Sequence, residues 1–138
     1  MNVEQALKQL GIPSFRGLQE SVVHSILGGN DTMVLMATSG GKSLCYMVPA
    51  LCLEGYTIVV SPLLSLIADQ KSQMESKGIN CIALNGEVGF HERHEAILSA
   101  WRGEVKVLLM SPELLSNPGI IELLCEMPPA FVAFDEAH

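Results

Sequence analysis

The chain has 138 residues, 49% of them apolar, and a formal net charge of −7. That length supports one domain with a substantial core, and the apolar share excludes wholesale disorder. The acidic balance argues against a broadly basic nucleic-acid surface, while leaving room for a local groove of backbone amides and a few cations.

In chain order, Val3–Leu10 forms a short amphipathic helix ended by Gly11 and Pro13. Leu18, Val22, Val23, Ile26 and Leu27 recur at helical spacing, and Gly28-Gly29-Asn30-Asp31 stops that helix. Thr32–Met36 is a short apolar strand. A loop over Thr38–Lys42 leads into a helix from Ser43 to about Leu53. Tyr56–Val60 is a second strand, and Ser61-Pro62 opens a helix running to about Ser76, before Gly78. Ile79–Leu84 is a third strand and Phe90–Trp101 a helix with Ile97, Leu98 and Trp101 on one face. Val105–Met110 is a fourth strand. Pro112–Leu115 and Ile120–Cys125 are short helices around Asn117-Pro118-Gly119, and Pro128-Pro129 precedes a last strand, Ala130–Phe134.

Five short, continuously apolar strands alternating with helices predict an α/β fold with a mostly parallel sheet covered on both faces. Chemistry then belongs at the carboxyl ends of the strands. Phe90, Trp101, Phe131 and Phe134 read as core or helix–sheet packing. No charged leader followed by an apolar core opens the sequence, and the apolar runs fall well short of the roughly 20 residues that span a bilayer. An intracellular protein without a membrane partner is expected, nuclear in a eukaryote and cytoplasmic in a bacterium. Cys45, Cys52, Cys81 and Cys125 have no metal-ligand spacing and suit free thiols. His24, His91 and His94 suggest no metal site.

The strand Thr32–Met36 runs into Ala37-Thr38-Ser39-Gly40-Gly41-Lys42-Ser43. Glycines let a backbone fold tightly enough for several amides to face phosphate oxygens, and the helix start adds its positive end. Lys42 would reach the β and γ phosphates, and the Ser43 hydroxyl would complete magnesium coordination. The apolar strand before Asp135-Glu136-Ala137-His138 delivers acids to its carboxyl end. Asp135 would hold magnesium, and Glu136 would act as general base or orient the attacking water. His138 would couple nucleotide state to nucleic acid. Thr38, Ser39, Gly40, Gly41, Lys42 and Ser43 with Asp135 and Glu136 thus make the two halves of an Mg-ATP hydrolysis site.

These motifs, in this order, resemble the first RecA-like domain of superfamily 2 helicases, and among them the RecQ family of DNA helicases. The likeness runs from about Phe15 to His138. It is carried by Thr38–Ser43 with Leu44-Cys45-Tyr46 and Pro49-Ala50-Leu51, by Ser61-Pro62-Leu63 with Ser65-Leu66 and Asp69-Gln70, by Ser111-Pro112-Glu113 and by Asp135–His138. It implies a three-layer P-loop NTPase fold, with an N-terminal helical segment at 1–29 and a partial ATP-binding domain at 30–138, apparently truncated after the acidic box. Phe15, Arg16 and Gln19 resemble the motif that recognises adenine: Gln19 offers a donor and an acceptor, and Arg16 could stack on the base. Ser61, Pro62, Leu63, Ser111 and Pro112 would lie on the nucleic-acid side, binding phosphates of one strand without reading sequence. Asn85 with Gly86 reads either as part of that surface or as a simple turn.

The family usually shows Met-Pro-Thr-Gly-Gly-Gly-Lys-Ser. Here Ala37 stands for the proline, Ser39 for a glycine, and Met47 where a glutamine is usual. Two readings follow. In one, the parent protein hydrolyses ATP with Mg2+, translocates 3'-to-5' on single-stranded DNA and unwinds duplex, with a second RecA-like domain in cis. In the other, the chain is a non-catalytic nucleotide- or nucleic-acid-binding fragment.

Overall fold

The computed structural model describes residues 2–15, 19–29, 42–61, 64–84 and 89–134, without the side chains at 42–44 and 64–66. The expected strand Thr32–Met36 lies outside them. The chain forms two compact units, Met1–Glu54 and Gly55–His138.

The first unit packs α1 (Val3–Leu10), α2 (Gln19–Leu27) and α3 (Lys42–Cys52). α1 is closed at both ends by local chemistry. The Asn2 side chain accepts from the Gln5 amide while the Gln5 side chain accepts from the Asn2 amide, a reciprocal box that satisfies two otherwise orphaned donors. Gly11 ends the helix at φ 75°, a left-handed conformation that costs glycine little. Ala6 and Leu10 on α1, Val22 and Val23 on α2, and Cys45 to Val48 with Ala50 on α3 are buried. Pro49 sits inside α3, where it removes the amide that would bond to the Cys45 carbonyl.

The second unit holds a four-stranded, wholly parallel sheet in the order β2-β3-β1-β4. β1 is Thr57–Val60, β2 Cys81–Leu84, β3 Val107–Met110 and β4 Phe131–Phe134. The central strands β1 and β3 are buried at every position, as parallel strands covered on two faces must be. On one face, α5 (Phe90–Trp101), α6 (Pro112–Leu115) and α7 (Pro118–Glu126) bury Tyr56, Ile58, Val60, Leu84, Leu108 and Met110 with Ile97, Ala100, Leu114 and Ile120. On the other, α4 (Leu64–Ser76) lies against β2 and β3, and the Cys81 thiol donates to the Lys71 carbonyl at 3.7 Å. Helix, sheet and helix form three layers. This is the RecA-like P-loop NTPase architecture that the sequence implied.

Four aromatic residues depart from expectation. Phe90, Trp101 and Phe134 are 67%, 49% and 60% exposed, and Phe131 is only half-buried. Position on the elements explains it. Phe90 and Trp101 are the first and last residues of α5, and Phe90 lies beside Gly119. Val132 and Phe134 share the exposed side of β4, which is an edge strand among the described residues.

Candidate nucleotide and nucleic-acid site

Three strands end level with one another. Val60 at the end of β1 is in register with Met110 of β3 and with Phe134 of β4. The next residues in the chain are Ser61, Ser111 and Asp135, so three separate motifs leave the sheet from adjacent positions on its carboxyl rim. The Ser61 amide donates to the Met110 carbonyl at 3.0 Å, which ties the first exit to the second.

Ser61 itself is fully buried, and its Oγ has no hydrogen-bond partner among the described residues. A buried hydroxyl without a partner costs on the order of 1–3 kcal/mol. Ser111 caps α6: its Oγ accepts from the Leu114 amide at 3.3 Å, at 8% exposure. The Ser111 hydroxyl keeps its own proton to donate. Pro112, at the first helical position, is exposed. Pro62, Leu63, Asn85, Asp135, Glu136 and His138 lie outside the described residues.

In the first unit, α3 begins at Lys42 and has no acidic residue in its first turn. The free amides of a helix start favour anions, and an acid there would compete for them. Backbone amides, a lysine and a serine hydroxyl together would make the donor set that a triphosphate and its magnesium require. Thr38, Ser39, Gly40 and Gly41 are outside the described residues, as are the side chains of Lys42 and Ser43. Deeper in α3, Met47 is 3% exposed, so the residue that replaces the usual glutamine serves the helix core. Burial also pushes the Cys45 thiol above its ordinary value, which leaves it a packing residue.

Of the residues expected to recognise adenine, Phe15 is half-buried and Gln19 is 5% exposed at the start of α2, with a partner of its own. Gln19 is therefore held in place, in contrast to an exposed helix residue. Arg16 lies outside the described residues. Gln70 entered the sequence reading only as part of Asp69-Gln70, with no role of its own. Gln70 is 7% exposed on α4, between the buried Ile67 and Met74. The signal was its spacing: 67, 70 and 74 share one helical face.

Residues 16–138 match the DEAD/DEAH box helicase family. Over 128 residues the chain is 44% identical to the ATP-dependent DNA helicase RecQ of Pasteurella multocida (strain Pm70), covering 93% of this chain and 20% of that protein. It is 40% identical over 138 residues to the probable ATP-dependent DNA helicase RecS of Bacillus subtilis (strain 168), covering 99% of this chain and 27% of that one. The chain thus spans about a fifth to a quarter of the length of these relatives. Among solved structures, the DUF1998 helicase MrfA, bound to DNA and AMPPNP, superposes with a TM-score of 0.70 at 21% identity, over 97% of this chain and 20% of that chain. At that identity the likeness shows the fold. With strand order, motif order and the family match over 16–138 in agreement, the chain belongs to the DEAD/DEAH box helicase family, and its likeness is to the RecQ-type members.

Proposed function

We propose that this chain is the ATP-binding part of a DNA helicase that uses Mg-ATP hydrolysis to move 3'-to-5' along single-stranded DNA and unwind duplex. The observation that carries the reading is the level carboxyl rim of β1, β3 and β4. It starts three motifs from neighbouring points, as a site that couples nucleotide to nucleic acid requires.

Thr38 to Ser43 would wrap the phosphates, with Lys42 on the β and γ groups. Ser43 and Asp135 would hold magnesium, which supplies charge neutralisation of the transferring phosphoryl group when bound. Glu136 would take the proton of the attacking water. Phe15, Arg16 and Gln19 would select adenine. Pro62, Leu63, Asn85, Ser111 and Pro112 would touch the backbone of one DNA strand, Ser61 would support that surface from beneath, and His138 would report nucleotide state to it. For Ser111 the geometry supports donation to a phosphate oxygen. For Ser61, burial points to the backbone amide and carbonyl as the groups that set the rim. A second RecA-like domain in cis would complete the catalytic cleft.

Titration with Mg-ATP tests the reading. Lys42→Ala should weaken binding by more than about tenfold, the loss expected for a hydrogen bond to a charged group, with the fold intact. Glu136→Gln in the full-length protein should keep binding and lower DNA-stimulated turnover by about a hundredfold or more. Magnesium-dependent binding with no DNA-stimulated turnover in the full-length protein would instead favour the non-catalytic binding module. Binding that survives Lys42→Ala unchanged would sink the phosphate-loop assignment.

A further inference from the structure

The second edge of the sheet offers a different surface. β2 pairs with β3 on one side, and no described strand pairs with it on the other. The Asn80 carbonyl accepts from the Lys106 and Val107 amides at 2.9 and 3.3 Å, so residue 80 faces β3. Backbone direction alternates along a strand. Ile82 and Leu84 therefore face β3 as well, and the amides and carbonyls of Cys81 and Ala83 point outward. Cys81, Ile82 and Ala83 are only half-buried.

Beside this edge lies a groove of about 350 Å3, lined by Ile82 and Leu84 from the strand and by His91, Glu92, Glu95 and Ser99 from α5, among others. Its floor is apolar and its wall carries two carboxylates. No lysine or arginine is among its described lining residues. The cation nearest to the two carboxylates in sequence, Arg93, is on the same helix but half-buried, with its Nε enclosed and an interaction of its own, and Lys71 is on the α4 side of the sheet, 3.7 Å from Glu75.

We propose that the β2 edge and the acidic wall of α5 form a docking site for an extended basic segment of a partner protein, which adds to the sheet as a strand alongside β2. The backbone of Cys81 and Ala83 supplies the main-chain bonds of strand addition, and the groove supplies selectivity through alternate side chains. An apolar residue of the added strand covers Ile82 and Leu84, and a lysine or arginine meets Glu92 and Glu95. A second copy of this chain is disfavoured as occupant, because it would set one acidic wall against another.

The probe is a fluorescein-labelled peptide, Val-Thr-Lys-Thr-Val-Thr-Lys-Thr, which puts valine and lysine on the same face of an added strand, followed by anisotropy with the purified protein. Saturable binding is expected, weakened about tenfold by Glu92→Gln with Glu95→Gln. Glu122→Gln with Glu126→Gln on α7 is the charge-matched control and should keep the affinity. Ala83→Pro removes an outward amide from an edge strand, a position that tolerates proline, and should abolish binding. The same peptide N-methylated on alternate residues should also fail, and that test does not depend on a variant folding. The proposal is overturned by no binding to the folded protein, by equal binding of a glutamate–valine peptide, or by undiminished binding of the N-methylated peptide. It is equally overturned by a concentration-dependent dimer that Ala83→Pro disperses, which would make the second copy the occupant.

Discussion

Tyr56 links two parts of the second unit through one atom. It precedes β1, is fully buried, and its hydroxyl donates to the Met127 carbonyl at the end of α7. Burial pushes this phenol from 10.0 up to about 12. Between those values the unfolded chain has lost a proton that the folded chain keeps. Stability present below pH 10 is therefore lost as pH rises toward 12. The shift corresponds to roughly 2–3 kcal/mol. Tyr56→Phe should cost about 1 kcal/mol at neutral pH, since a buried carbonyl loses its donor. The same variant should lose less stability than the wild type between pH 10 and 12. Urea midpoints of both proteins across that window check the sign, and parallel alkaline declines would assign the titration to another group. Nothing in the sequence marks this bond, because it joins residues brought together only by the packing of α7 on the sheet. The proposed phosphate loop, by contrast, rests on a motif in consecutive letters, because glycine, lysine and serine chemistry of that kind is local.

Among the elements, those with their own end signals were read to the residue. α1 has its cap box and Gly11, and α5 begins after Gly89 and closes before a turn at Gly103. α6 has Ser111 and Pro112. Strand starts were read early. Ile79 was expected in β2, yet its amide donates to the Met74 carbonyl and Gly78 bonds back to Glu75, so both residues finish α4. Such closing bonds take the donors a ladder would need. α7 starts two residues before its apolar run because Asn117 accepts from the Gly119 and Ile120 amides at 2.9 and 3.3 Å, with Pro118 at the first position. Asn117→Ala should therefore cost about 0.5–2 kcal/mol, while Asn117→Asp should retain most of the stability. Thermal midpoints of the two variants distinguish a cap from a mere loop residue: equal losses would remove the cap.

For the molecule as a whole, the α/β class and parallel sheet were legible from apolar runs alternating with helices. The order β2-β3-β1-β4 was not, since a run of buried residues records that a strand is central without recording its neighbours. The same limit explains the aromatics: apolar identity predicted burial, whereas place at an element's end or a sheet's edge decided exposure. The sequence order of the motifs agrees with the family match over residues 16–138. Their common rim depended on three strands ending at one level, a relation between distant segments that no local pattern holds.

That strand order also constrains how the chain can be made. Of the described strands, β1 and β2 are synthesised first but are not neighbours; both wait for Val107–Met110, which inserts between them, and β1 then waits again for Phe131–Phe134. Partners this remote in sequence must close long loops before any bond rewards them. A ribosome-bound chain released only to about residue 100 should hold two unpartnered apolar strands and be readily cut by protease. One extended through Met110 should protect the β2-β3-β1 trio together, in a single step. Protection of Thr57–Val60 before Val107–Met110 emerges would mean that β1 is sheltered by something other than its sheet. During synthesis, the interval between those two segments is when a holding chaperone would matter most to this fold.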